Sequence, residues 1–255
     1  RGRVPQSRDA EAAAMEGFMS TATSSGESVL GDIPARIAAI DAEVQQSFSS
    51  TPADYRTQLQ AAGDVAKASN GKLLEATANV HTLLMDAVDD FRSLELWLTF
   101  RVPAISDGNN FGVEVQDHVI AKLDAFKAKS LTDAESLAAY TLARATAREK
   151  FGSSESVEKT RSASTEKKEE GGKAAKDDAT TKEETVEKKV EKLPMDDVVA
   201  HVVELDVKHY CACRAALHEV AKRYIQAHLL VNNNKDKCMN PRGDSSSGGR
   251  TFTMY

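Results

Sequence analysis

Leu73, Leu74, Thr77, Val80, Leu84, Val88, Phe91, Leu94 and Leu98 return every three or four residues, and the run stops at Pro103. A period near 3.6 places these side chains on one stripe of an α-helix, whereas a strand would need alternation with period two. Proline ends the run because it disfavours a helical residue before it and brings no N–H to the ladder. The same period occurs upstream, at Ile33, Ile37, Ile40, Val44 and Phe48, and downstream, at Phe111, Val115, Val119, Phe126, Leu137, Leu142 and Ala145. A last run joins Val198, Val202, Leu205, His209, Ala212, Ala216, Val220, Tyr224, Ala227 and Val231. Helices with one apolar stripe each must bury those stripes against one another, so the predicted fold is all-α, a long antiparallel four-helix bundle. Aromatic residues make up only 5% of the 255 residues, a composition that suits long helices better than a sandwich or a doubly wound sheet.

Punctuation divides the chain further. Residues 1–26, Ala/Ser/Thr-rich with isolated Met15, Phe18 and Met19, read as an N-terminal arm, either a short helix or a mobile segment, ahead of helix one. Helices one to three occupy 27–152, with Pro34 in the first turn of helix one, where its missing N–H does no harm. Ser49 to Gly71 is a polar connection in which Tyr55 to Ala66 has weak helical character. The third helix is expected to break near Ser130, where Thr132 to Glu135 (TDAE) has the form of a capping box. Residues 153–193 carry charges of both signs and almost no apolar side chains, so they bury too little surface to offset their ordering entropy and read as a disordered insert. Pro194 opens the fourth helix, 194–232, about 55 Å long at the standard rise. A tail, 233–255, closes the chain.

A net charge of −6 with no local basic patch argues against a nucleic-acid partner. No window approaches a membrane span. Three cysteines in a long chain with no apolar signal segment point to a reducing compartment, cytoplasm or nucleus. The chain opens on Arg1 rather than Met, so any segment ahead of it lies outside this reading.

No complete catalytic or metal constellation emerges. Cys211 and Cys213 are two apart and point about 200° away from each other on a helix, so they do not share one ion easily. His209 and Cys213, four apart, make half a zinc site with no second pair to complete it. HEVAK, His218 to Lys222, begins like a zincin helix but places Lys222 where the second histidine belongs. The other histidines, His81, His118, His201 and His228, have no paired carboxylate or serine enforced by spacing. RGD, Arg242 to Asp244, is a three-residue match close to chance. The chain is therefore expected to be no enzyme, with no cofactor and no metal.

One stretch exceeds what a bundle needs. PAISDGNNFGVEVQ, Pro103 to Gln116, holds the densest cluster of turn formers in the chain, between its two most regular helices. Asp, Asn and Gly tolerate left-handed backbone angles and suit an interhelical turn, but antiparallel helices need only about two to five residues there. This loop is longer, and it offers Ile105 at its tip. A rigid stem with an over-specified tip reads as a presented contact surface.

These residues resemble those of the REG-type (11S) activators of the proteasome. The likeness is strongest over RVPAISDGNNFGVEVQ, Arg101 to Gln116, which is similar to the family's activation loop. It extends through LELWLTF, Leu94 to Phe100, GDIPARIAAIDAEV, Gly31 to Val44, and VVELDVKHY, Val202 to Tyr210. It ends with NPRG, Asn240 to Gly243, and the terminal Thr253, Met254 and Tyr255. Two departures stand out: the charged insert lies between helices three and four rather than one and two, and the tail carries an SSSGGRTF spacer.

The resemblance implies a ring of seven bundles, a homoheptamer, stacked without ATP on the α-subunit ring of the 20S proteasome. It implies that each tail enters a pocket between α-subunits, with Thr253, Met254 and Tyr255 as the docking residues and the main-chain carboxylate meeting a lysine. It assigns the activation loop to Pro103, Ile105, Ser106, Asp107, Gly108, Asn109, Asn110, Phe111 and Gly112. Asp107, Gly108, Asn109 and Asn110 would contact the gate, with Pro103 and Phe111 as anchors. The alternatives are a helical adaptor that recruits partners through its charged insert and a metal-dependent hydrolase, the latter without a full ligand set.

Overall fold

The computed structural model describes residues 6–63, 65, 68–104, 108, 110–149 and 195–243, and all regular structure among them is helical. In chain order the helices are α1 (Gln6–Ser47), α2 (Pro52–Ala61), α3 (Gly71–Thr99), α4 (Phe111–Leu137), α5 (residues 139–149), α6 (Met195–Asn233) and α7 (Lys235–Met239). None of them is long and apolar enough to cross a membrane. The insert over 153–193 lies outside the described residues. Two compact units are present: Arg1–Ser49, Lys72–Ala138 and Tyr210–Tyr255 form one, and Ser50–Gly71 with Ala139–His209 form the other.

In the first unit the direction of each helix follows from which residues meet. Phe18 packs edge-on against Phe100 while Arg36 pairs with Asp90, so α1 rises as α3 descends. Ser130 of α4 meets Arg223 of α6 and Gln116 meets Cys238, which makes that pair antiparallel too. Thr77 faces Cys213 and Asp90 faces Tyr224, so α3 and α6 run the same way. The arrangement is an up-down-up-down bundle. Its core holds Ile33, Ile40, Val44, Phe48, Val80, Leu84, Phe91, Leu94, Leu98, Val119, Leu123, Leu217, Val220, Tyr224 and Val231, all buried. Phe91 stands at the centre with its ring 5.0 Å from Tyr224 and 5.8 Å from Phe126.

Three readings of the sequence change here. α1 begins at Gln6 rather than near residue 27, and Gly26 and Pro34 both lie inside it. Its first turns are exposed and therefore have no apolar stripe to announce them, while their Ala-rich composition favours helix. Gly26 marks close approach rather than a break: a Cβ there would sit 2.3 Å from the Cβ of Trp97. The third helix does not restart at Ser130. α4 runs through to Leu137 with Ser130 fully buried, accepting a hydrogen bond from Arg223 at 3.0 Å, and the interruption falls at Ala138. Thr132 donates to the Ala128 carbonyl within the same helix, and Asp133 pairs with Arg223, so TDAE serves packing between helices rather than a cap.

The second unit is organised around one buried carboxylate. Asp206, with no exposed surface, accepts hydrogen bonds from Tyr140 Oη and Arg144 Nε, both at 2.8 Å, and from Asn70 Nδ2 at 3.0 Å. Arg144 also donates to the carbonyls of Val65 and Ala68, which ties the segment after α2 to α5. Beside this group His209 stacks on Tyr140 with ring centroids 3.9 Å apart and planes 3° from parallel.

Burial pushes the His209 imidazole down to a pKa of about 4, with the charge of Asp206 opposing the shift. Its folded pKa lies below its ordinary value of 6.5, so the unfolded chain takes up the proton first as pH falls. The stability this histidine contributes is complete above about pH 6.5 and is lost progressively towards pH 4, a change approaching about 3 kcal/mol. Urea unfolding midpoints should therefore fall more steeply between pH 7 and pH 4.5 in the natural protein than in His209→Phe. Equal slopes would exclude this histidine as the source.

Candidate functional site

The loop that follows α3 is mounted on a braced helix end. Beyond Thr99 the backbone tightens, with Arg101 N–H donating to the Leu98 carbonyl at 2.9 Å and Val102 N–H to Thr99 at 3.2 Å, before Pro103 takes the chain out of the helix. Arg101 donates to the Trp97 carbonyl at 2.9 Å, lies over the Trp97 ring at 4.9 Å and pairs with Glu27 of α1 at 3.2 Å. A cation against the last carbonyls of α3 also matches the negative end of the helix dipole. Phe18, in the stretch expected to be an arm, closes on Phe100 and adds a second brace.

Of the predicted loop residues, Pro103, Gly108, Asn110, Phe111 and Gly112 are described, whereas Ile105, Ser106, Asp107 and Asn109 lie outside the described residues. Gly108 is exposed with φ of +137°. Asn110 precedes α4 as its N-cap, but its side chain makes no capping hydrogen bond, and it is exposed. Its backbone, at φ −100° and ψ −1°, is not in the extended conformation from which a capping side chain reaches the first turn. Phe111 does not act as an anchor in the core, because 63% of it is exposed.

The anchor one residue on is Gly112. A Cβ on it would fall 1.9 Å from the carbonyl oxygen of Pro241, so the chain beyond α7 lies directly against the first turn of α4. Gln116, fully buried, donates through Nε2 to the Cys238 carbonyl at 2.7 Å and approaches the Arg101 carbonyl at 3.4 Å. Arg242 Nη2 donates to the carbonyl of Ala104 at 2.7 Å. The predicted tail 233–255 thus begins as structure: Asn233 ends α6, α7 follows, Cys238 is buried, and the first part of the tail is packed under the loop. Thr253, Met254 and Tyr255 lie outside the described residues.

Gln116 and Arg242 are the residues that sequence reasoning passed over. Both stand inside motifs that were singled out, Gln116 at the end of the loop stretch and Arg242 in NPRG and RGD, but only their positions in space give them a common task. Of the thiols considered as ligands, Cys213 and Cys238 are buried, while Cys211 is half-buried. Cys213 is buried with its thiol pushed up to about 11 by desolvation and its Sγ 3.8 Å from Thr77 Oγ1. None of Cys211, Cys213 and Cys238 is in a disulfide. Among the described residues no three His, Cys, Asp or Glu side chains converge on a point that would hold a metal.

Comparison with known proteins bears on the fold and the family. The 11S subunit of the Plasmodium falciparum proteasome, PA28, is 18% identical, covers 94% of this chain and 99% of its own, and superimposes with a TM-score of 0.61. An 11S activator solved in a proteasome–11S activator complex gives 0.63 at 15% identity, over 93% of this chain and 98% of that one. Likeness at these identities establishes the shared fold. Human proteasome activator complex subunit 3 is 21% identical over 179 residues, 70% of this chain, and the aligned part spans 55% of that relative's length. The family described as proteasome activator PA28, C-terminal, matches residues 66–172 and 162–248. Those matches take in the loop, its α3 and α4 supports, α6 and the packed root of the tail, and by them the chain belongs to the proteasome activator PA28 family.

Proposed function

We propose that this chain is a non-enzymatic, ATP-independent activator of the 20S proteasome, acting as a homoheptameric ring on the α-subunit ring. Each tail docks through Thr253, Met254 and Tyr255, and each activation loop, Pro103 to Gly112, displaces the gate so that peptides enter. The observation that carries this reading is the convergence of loop and tail root at one place, where Arg242 reaches Ala104 and Pro241 lies on Gly112. A docking tail and an opening loop must address the same surface, and they leave the bundle side by side.

Other features support it. Exposed Met15, Phe18 and Met19 on α1 and exposed Ile225 and Leu229 on α6 are apolar surface of the kind that neighbouring subunits cover. A gate held by an equilibrium between closed and open states moves only if the activator contacts the two states differently, which a braced loop can do. We assign the protein to cytoplasm, nucleus or both, where its thiols stay reduced.

The test is hydrolysis of a fluorogenic peptide by purified proteasome core, with and without this protein and without ATP. Stimulation is the expected result, and no stimulation at any concentration overturns the reading. Within the same assay Asn109→Tyr and Asn110→Tyr should still bind the core while maximal stimulation falls by about tenfold or more, because they alter the tip and leave the tail intact. Loss of binding together with stimulation would give the loop a structural role instead.

A further inference from the structure

We propose that Arg242 is a positioning residue for the activation loop: it clasps the loop's entry strand from a tail root that is itself built into the bundle. This rests on the gate-opening reading above. The loop has two stems, and one segment holds both. At the entry, the Arg242 guanidinium donates to the Ala104 carbonyl at 2.7 Å, immediately after Pro103 has left the helical ladder. At the exit, Pro241 occupies the space that a side chain at position 112 would need. Beneath both, the buried Gln116 amide ties the Cys238 carbonyl to the end of α3.

NPRG has the composition of a turn made for this purpose. Asn240 opens it, Pro241 presets the backbone and Gly243, with φ of +71°, accepts a conformation that side chains resist. Gly243 N–H closes the turn on the Asn240 carbonyl at 3.1 Å. Arg242 is thereby held at the corner of the turn, with its guanidinium on the Ala104 carbonyl. A guanidinium suits the task because its donors are fixed in one plane and its charge strengthens the bond to a carbonyl. The segment that leads to the docking residues is therefore also the floor of the opening loop. Arg242 belongs to the mechanism of opening, although it lies in the tail.

The experiment compares full-length wild type, Arg242→Ala and Arg242→Lys on purified core, reading maximal stimulation and the concentration giving half of it, and measures deuterium exchange over residues 101–112 in the free proteins. For Arg242→Ala the half-maximal concentration should stay within about threefold of wild type. Its maximal stimulation should fall by about tenfold, because a displaced contact loses rate steeply. Exchange over 101–112 should quicken, and Arg242→Lys, which keeps a charged donor, should recover much of the maximum. Unchanged maximal stimulation in Arg242→Ala overturns the proposal, as does a raised half-maximal concentration with the maximum intact, which would make Arg242 a docking residue. Unchanged exchange over 101–112 overturns the clasp by itself while leaving the gate-opening reading standing. If the wild type does not stimulate, that reading fails, and the role of Arg242 in opening fails with it.

Discussion

Removing Thr253, Met254 and Tyr255 is expected to abolish the proposed stimulation of peptide hydrolysis at every concentration at which the intact protein stimulates. A single short tail is a weak ligand, about millimolar or about −4 kcal/mol. Carried on a ring, each later attachment becomes intramolecular, so the assembly binds far more tightly than any one tail without a single new contact. The same arithmetic makes truncation severe, because a small loss per tail is repeated around the ring. The truncation also leaves the described fold untouched. The contacts that pack the tail root, from Cys238 through Arg242, lie well before the deleted residues. The truncated protein should therefore unfold at the same temperature as the intact one and form the same oligomer by native mass measurement. Stimulation by a well-folded truncated protein would refute docking through these residues.

Asp206→Ala is the substitution expected to destabilise the fold most. Arg144 and Asp206 are buried to 6% and 0% exposure, so removing the carboxylate strands a guanidinium away from water. Breaking one side of such a pair costs about 3–5 kcal/mol. Tyr140 Oη loses its acceptor in the same step, Asn70 Nδ2 loses the carboxylate and keeps the Tyr55 hydroxyl, and the Tyr140 hydroxyl, held far above its ordinary pKa by burial and by this carboxylate, has no charge of its own to offer Arg144. Urea denaturation of the variant measures the effect, and a loss below about 1 kcal/mol would show that the pair is not the organiser described. A companion variant, Asp206→Leu with Arg144→Met, removes the stranded guanidinium and should recover part of the loss, the remainder being the hydrogen bonds of Tyr140 and of the Val65 and Ala68 carbonyls, which it does not restore. If the double variant is as unstable as the single one, the stranded charge is not the source of the loss.

The helices were legible because their stripes are continuous where the core is apolar. Most of the α3 stripe and the later turns of α6 follow from period alone: Val80, Leu84, Phe91, Leu94, Val220, Tyr224 and Val231 are all buried as expected, while Leu74 of the same stripe is exposed. The reading drifts where the core face is polar. Along α4 and α5 the inward positions include Gly112, Gln116, Ser130 and Arg144, while the apolar Phe111 and Leu142 are exposed to 63% and 73%. A periodicity count takes the wrong residues there, since it cannot know that Gln116, Ser130 and Arg144 will find buried partners. The start of α1 was missed for the opposite reason: exposed turns carry no stripe at all.

The candidate site divides in the same way. For the loop, local chemistry carries the expectation, since proline, glycine and paired asparagines between two regular helices mark a turn. Of that turn, Pro103, Gly108 and Asn110 are described, the last two exposed. What the chain alone determined is therefore its short-range content: helical periods, the stop at Pro103 and the unusual loop that follows. What only the tertiary structure decided is who meets whom across more than a hundred residues. Hydrogen bonds from Gln116 to Cys238 and from Arg242 to Ala104 leave no trace in local spacing, because their geometry exists only after the helices have packed.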